Sequence, residues 1–475
     1  MSLPSQALPL PTAFYDKNSG GYWYQDSKNA WVRFQQNDFV RFLKSFGYSS
    51  KVAEGETQSA VDRALMNIQM SQNVDYAGPL AGYSQGLVED MEGMSVLVTG
   101  SPKIIQPEPG EYAVIHALLT GMFGEEQLPY FLSWSQLAYG SMRSGNRRPG
   151  QAVVLAGPVN SGKSLVQQLV TKMIGGRTAH PYLYMNGGTA FNSELFGAEH
   201  LVIDDELGQS DFRARQKLTA SFKMITSAGS QQCHPKGKPA VTLRPFWRLT
   251  VSVNDEPESL LVLPLLKNDL ADKIMIFRVG HQTMPMPTRT NEEREAFWNQ
   301  LMTEFPHWLD FLINQWRIPT ELQEDRFGVR AFHHPEIVET IDSLSPEMKL
   351  YNLLEAQFGN YNHAWTGTAT QLETLLSGDQ GGSRHEARKL FSYNTACAVY
   401  LKRLADKYPI IVNRAPRQNN LHLWRIDFNQ IRFLPVCPPT INIVNSQMAL
   451  PPNPMRLAGV PGLIRLPSPA SITVL

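Results

Sequence analysis

The sequence predicts an α/β layer architecture built around a parallel sheet. Three observations carry this. Short apolar runs alternate with amphipathic helical stretches from VVLA at 153–156 to about residue 285, and strands alternating with helices fold as parallel βαβ units. A glycine-rich G-x-x-x-x-G-K-S stretch, GPVNSGKS at 157–164, lies between the first of those strands and the helical SLVQQLVTKMI, the setting a phosphate-binding loop requires. Two later apolar runs, LVIDDE at 201–206 and LTVSVND at 249–255, end in polar residues suited to a nucleotide site.

Residues 1–90 predict a small α+β region, because aromatic and polar residues alternate in YWYQD and AWVRF and NDFVRFLKSFGY has helical spacing. Residues 91–148 predict a mainly helical region. SVLVTG (95–100) reads as a strand ending at a turn, 111–142 has helical periodicity, and RSGNRRPG (143–150) is a turn-rich linker. Residues 149–290 hold the phosphate-loop core, and 291–360 read as helical.

Composition bounds the partners. The chain has 475 residues, enough for about three domains at about 150 residues each. Lys plus Arg equals Asp plus Glu at 43 each, so a polyanion would have to be met by local basic patches. The three cysteines, Cys233, Cys397 and Cys437, are widely spaced. That excludes a cysteine-rich zinc cluster and a disulfide scaffold, and suits a reducing cytoplasm, the expected location. The N-terminus lacks the basic and apolar regions of a signal peptide. No run of about 18 apolar residues appears, so no membrane span is expected.

In the phosphate loop, Gly157 and Gly162 let the backbone curl so that its N–H groups point inward at phosphate oxygens. The helix N-terminus adds its dipole. Lys163 can reach the β- and γ-phosphates, and Ser164 can ligand Mg²⁺. Pro158, Val159, Asn160, Ser161 and Leu165 complete the segment expected to contact ATP. LVIDDE places carboxylates at the end of a strand beside those phosphates. Asp205 is the first choice to hold the Mg²⁺ shell and Asp204 the alternative, with Glu206 deprotonating the attacking water. Asn254 ends the next apolar strand. A neutral amide there can bind the lytic water or the γ-phosphate without competing for the metal.

Between these parts the chain turns basic. Residues 211–248 contain eight Lys/Arg against one acid, Asp211. QQCHPKGKPAV reads as a hairpin tipped by His234, Lys236 and Lys238, which suits phosphate contact along a nucleic acid.

These parts in this order resemble superfamily 3 helicases of the AAA+ class: the phosphate loop, the acidic strand, the segment with Lys223, Gly229, Lys236 and Lys238, and the asparagine strand. The chain resembles more closely the helicase part of phage- and plasmid-type primase–helicase replication proteins, over about residues 12–430. The resemblance implies an AAA+ P-loop ATPase core and a ring, a hexamer, with ATP at subunit boundaries and single-stranded DNA in the channel. Residues 91–148 then correspond to a collar. The family commonly carries two arginines after the asparagine, acting across the boundary. Here that place reads LADKIMIFRV (270–279), so the trans-acting cation is left among Arg215, Arg278 and Lys273, with Arg215 preferred. No primase catalytic region is recognisable, so a separate primase or polymerase is the expected partner.

Residues 361–433 read as two helices, TGTATQLETLL (366–376) and NTACAVYLKRLADKY (394–408), then a strand, a basic turn and a strand. This resembles a winged helix. Nine Lys/Arg face two acids over 384–425, and Arg414 and Arg417 at the turn are the candidate duplex-DNA contacts. Leu423 and Trp424 read as core or strand pairing. Residues 434–475 are proline-rich and poor in charge, expected as a flexible tail. The reading is an ATP-driven ring helicase for DNA. An AAA+ switch that binds ATP and DNA to load a replication partner is the alternative, and a viral-type RNA helicase is a third.

Overall fold

The computed structural model describes residues 12–89, 93–204, 212–264, 266, 269–360, 363–378, 384–418 and 421–429, with backbone alone for 212–215. Asp205, Glu206, the Arg215 side chain and the proline-rich 434–475 stretch lie outside the described residues. The chain divides into two compact units at 350/351.

Unit 1 begins with the aromatic alternation. YWYQD and AWVRF form antiparallel strands, Gly21–Gln25 and Trp31–Phe34, with Tyr22 opposite Phe34 and Tyr24 opposite Val32. Period-two spacing turns one set of rings inward. Tyr22 is fully buried and stacks on Phe39 of helix Gln36–Ser45, ring centroids 4.5 Å apart. Strands Ala13–Asp16 and Asn73–Val74 complete this four-stranded sheet. A second small sheet joins Tyr76–Gly78, Ser95–Val98 and Gly86–Glu89 in that order. It straddles residue 90, where the sequence reading drew a boundary. Its strands are only three or four residues long, too short for a period to register.

The core is a five-stranded parallel sheet. Its order is the outer strand Ile274–Arg278, the loop strand Ala152–Ala156, the asparagine strand Arg248–Val253, the acidic strand His200–Asp204 and the edge strand Thr178–Ala179. Every residue of the loop strand is buried, because the sheet is covered on both faces. Ala152, Val154 and Ala156 point to the face packed by Leu218 and Phe222 of helix Phe212–Ser227. Val153 and Leu155 point to the other face. There they meet Phe123 and Phe131 of helix Ala113–Ser144, Leu301 and Phe305 of helix Asn291–Asp310, and Val166 and Val170 of helix Lys163–Met173. Helix Ala113–Ser144 breaks at Gly124, which takes φ 63° and ψ 178°. Helix Asn291–Asp310 starts at a capping box in which Thr290 Oγ1 accepts from Glu293 N at 3.2 Å.

Unit 2 contains strand Trp365–Gly367, helices Ala369–Ser377, Arg384–Leu390 and Ala396–Lys407, and antiparallel strands Val412–Gln418 and Leu421–Ile426. The helix expected over 366–376 starts later, at Ala369. Thr368 is its cap, bonded reciprocally with Gln371, and Trp365–Gly367 instead pairs with Trp424–Ile426 to make a three-stranded sheet. Trp424 is buried, as expected, with Arg414 over its ring. The pairing slips between Ala415 and Gln418, around Pro416, which has no N–H for the ladder. Among the described residues no helix is long and apolar enough to cross a membrane.

Candidate functional site

The register of the sheet assembles the site. Ala156 lies opposite both Val253 and Arg278, and Ser252 lies opposite Asp204. The 157–164 loop, Asp204, Asn254 and Arg278 therefore emerge together at the C-terminal ends of parallel strands, where open α/β sheets bind ligands.

The loop is held close to its strands. Gly157 N donates to Val253 O at 3.2 Å, and Val279 N donates to Ala156 O at 2.7 Å. A Cβ on Gly157 would stand 1.9 Å from Val279 O, so only glycine fits. Asn160 (φ 62°) and Gly162 (φ 91°) take left-handed conformations, tolerated by Asn and free for Gly. Lys163 opens the helix and is 6% exposed. Its Nζ donates to Gly157 O and Pro158 O, both at 2.8 Å, and to Asn254 Oδ1 at 3.2 Å. The lysine and asparagine named 91 residues apart thus meet directly. Ser164 Oγ faces Asp204 Oδ2 at 3.4 Å, and Asp204 is exposed at the strand end. Among the described residues Ser161 Oγ is buried without a hydrogen-bond partner, a group that a ligand oxygen would satisfy.

The three candidate cations fare differently. Arg278 lies at the site end of the outer strand and forms an ion pair with Glu336. Its backbone N–H and C=O are both bonded by the Gln127 side chain, at 2.8 and 3.0 Å. Lys273 lies at the opposite end of that strand. It is buried, donating at 2.7 Å to both Asp269 O and Asp272 Oδ1. Its ammonium is therefore committed within its own chain. The Arg215 side chain lies outside the described residues.

A polar network behind the loop escaped the sequence reading. Gln167, one turn beyond Lys163, donates to Ile203 O at 3.2 Å and Thr250 Oγ1 at 3.0 Å. His200 Nε2 meets Thr250 Oγ1 at 2.8 Å, and its Nδ1 meets Thr171 Oγ1 at 2.7 Å. These bonds tie helix Lys163–Met173 to the acidic and asparagine strands. Burial pushes the His200 pKa down to about 3, so the ring is neutral. The available signal was a glutamine on the buried face of an amphipathic helix, which needs a partner.

The basic segment folds as expected into a hairpin, Gln231–Cys233 paired with Val241–Leu243. Asn192 anchors it: Nδ2 donates to Gln232 O at 2.9 Å, and Oδ1 accepts from His234 N at 2.7 Å. The His234 ring turns back to Gln232 Oε1, whereas Lys236 and Lys238 are exposed around Gly237, with φ 71°. Lys223, named with this segment, pairs with Asp269. In unit 2, Arg414 and Arg417 are exposed and approach the two ring nitrogens of His422, each at 3.3 Å. No cluster of His, Cys, Asp and Glu suited to a metal occurs among the described residues.

Residues 155–263, which span the loop, both polar strand ends and the hairpin, match a family of unknown function, DUF5906. No curated protein matches the chain. The apo structure of the NrS-1 C-terminal region (305–718) superposes with TM-score 0.53 at 12% identity, covering 89% of this chain and 99% of that one. An A form of the same region gives TM-score 0.50 at 12% identity, covering 87% and 95%. A structure titled SCCmec type IV Cch, active helicase, gives TM-score 0.33 at 11% identity over 86% and 76%, an overlap too loose to argue from. The chain shares its fold with the NrS-1 C-terminal region, which covers 89% of it.

Proposed function

We propose that this chain is an ATP-driven, ring-forming DNA helicase of the AAA+ class, superfamily 3, acting in replication of a phage, plasmid or integrated element. The observation that carries the reading is the convergence of Lys163, Ser164, Asp204 and Asn254 at the ends of three adjacent parallel strands. The donor set fits a nucleoside triphosphate with Mg²⁺, and the unsatisfied Ser161 hydroxyl and the glycine at 157 support that fit. The likeness to the NrS-1 C-terminal region supports the architecture.

In this reading Lys163 exchanges the Gly157 and Pro158 carbonyls for phosphate oxygens. Ser164 and Asp205, with Asp204 as alternative, would hold Mg²⁺, which would supply positive charge against the phosphates. Glu206 takes the proton of the attacking water, and Asn254 orients that water. Arg215 supplies a cation across the subunit boundary, with Arg278 the alternative. The 234–238 hairpin grips single-stranded DNA, and the three-stranded wing of unit 2 holds duplex DNA through Arg414 and Arg417. The Gln167–Thr250–His200 network keeps loop helix and strands in register while the nucleotide changes.

The test is the ATPase rate with and without single-stranded DNA, alongside the molecular mass in ATP. Stimulation together with a hexamer-sized species is expected. An unstimulated monomer would remove both the strand-handling and the ring.

A further inference from the structure

Unit 1 holds a second concave site at the other end of the core. A cavity of about 700 Å³ is lined by Tyr83, Glu89, Arg147, Arg148, Arg244 and Trp247, among others. Arg148 precedes the loop strand and Trp247 precedes the asparagine strand. The cavity therefore opens at the N-terminal ends of the strands. One loop strand, roughly 16 Å at ~3.3 Å per residue, separates it from the phosphate loop.

Its chemistry is lopsided. Among the described residues three guanidiniums line it against one carboxylate, Glu89, in a chain whose formal net charge is zero. Arg147 is exposed and stands over the Tyr83 ring, its Cζ 3.3 Å from the ring centroid. That contact uses the face of the guanidinium and leaves its N–H edge to donate. The exposed Arg148 side chain makes no hydrogen bond or ion pair among the described residues. A volume of this size takes a ligand of nucleotide dimensions. A guanidinium plane backed by an aromatic ring stacks a base, while its edge and a second arginine meet a phosphate.

The placement names the source. Gly229 and Arg244 line the cavity and flank the two feet of the basic hairpin, Gln231–Cys233 and Val241–Leu243. The Lys236–Lys238 tip is roughly 20 Å away along about six residues of extended chain. We propose that this cavity binds one nucleotide unit of the single strand held by the hairpin. The base stacks on the Arg147–Tyr83 pair, and the backbone phosphates lie on Arg147 and Arg148. This rests on the reading that the chain handles single strands.

Binding of a labelled oligo-thymidylate, followed by anisotropy without ATP, tests it. Each lost phosphate contact on a single strand flattens the log–log salt slope by about 0.7. Replacing Arg147 and Arg148 with Ala should flatten it by about 1.4. The parent's affinity advantage should then shrink about sevenfold between about 50 and about 200 mM salt. Basal ATPase without DNA should equal the parent's. Gly229→Phe supplies a second variant that spares the charges. A Cβ at Gly229 meets nothing within 4 Å, so the ring should fill the cavity and weaken strand binding. An unchanged slope in the arginine variant, with parental binding by Gly229→Phe, overturns the cavity while leaving strand handling intact. A parent that binds no oligonucleotide overturns both. Displacement of bound strand by low thymidine monophosphate would make this a free-nucleotide pocket and overturn the strand assignment, whereas failure to displace supports it.

Discussion

Gly157→Ala is the sharpest perturbation of the loop. The new methyl would stand 1.9 Å from Val279 O and 2.9 Å from Val279 C. Ordinary contact begins near 3.4 Å, so the loop and the outer strand must part by about 1.5 Å. They are tied by the 2.7 Å bond from Val279 N to Ala156 O, which that movement would break. Overpacking costs about 1–3 kcal/mol and the lost hydrogen bond about 0.5–1.5 kcal/mol. We expect unit 1 to lose about 2–4 kcal/mol in urea unfolding. A misplacement of about 1 Å costs about 10²-fold in rate, so ATP turnover should fall by at least about that factor. Ser164→Ala is the control: stability within about 0.5 kcal/mol of parent, with Mg²⁺-dependent turnover lost. A Gly157→Ala protein with parental stability and turnover would refute the packing argument.

Three further outcomes follow from the site. Glu206→Gln should bind ATP like the parent and fail to turn it over in single-turnover hydrolysis, whereas normal turnover would move the base elsewhere. Arg215→Ala should form rings and bind ATP yet hydrolyse slowly, since a trans-acting cation is worth about 10³-fold or more. Mixed with Lys163→Ala it should recover part of its activity, and failure to recover, with Arg278→Ala inactive, would transfer the role to Arg278. His200, neutral in the fold at a pKa of about 3 against 6.5 in the unfolded chain, contributes stability that is full above pH 6.5 and lost as pH falls toward 3. From pH 7 to 5 the loss is about 2 kcal/mol, and His200→Gln should remove that part of the acid limb in pH-dependent denaturation. An acid limb identical to the parent's would show that His200 is not the titrating group.

The loop was legible because its chemistry demands particular residues at particular places. A glycine where Val279 O presses on the backbone, a lysine at the first helical position and an asparagine ending a buried strand leave a pattern in one chain. The meeting of Lys163 with Asn254 depends on the asparagine strand lying beside the loop strand in the sheet, which the sequence does not state. Of the metal alternatives, Asp204 lies opposite Ser164, and Asp205 falls outside the described residues. What stayed hidden depends on partners far away in sequence. Gln127 clamps Arg278 from 151 residues away, and Glu336 pairs with it from 58. The strand at Trp365–Gly367 is legible only through its partner at 424–426. The His200 network looks like ordinary polar residues until the fold buries them. Lys273 sits at the end of its strand away from the 157–164 loop, which spacing alone does not reveal.

The most direct test of the account is ATP-dependent strand separation of a forked DNA duplex, run for the parent, Glu206→Gln and the Lys236→Ala, Lys238→Ala double variant. The account predicts separation by the parent and none by Glu206→Gln. The double variant should keep its basal ATPase, lose stimulation by single-stranded DNA and fail to separate strands. A parent that hydrolyses ATP and binds DNA but separates no duplex would contradict the helicase reading in favour of an ATP switch. A double variant that separates strands like the parent would show that the hairpin is not the moving contact.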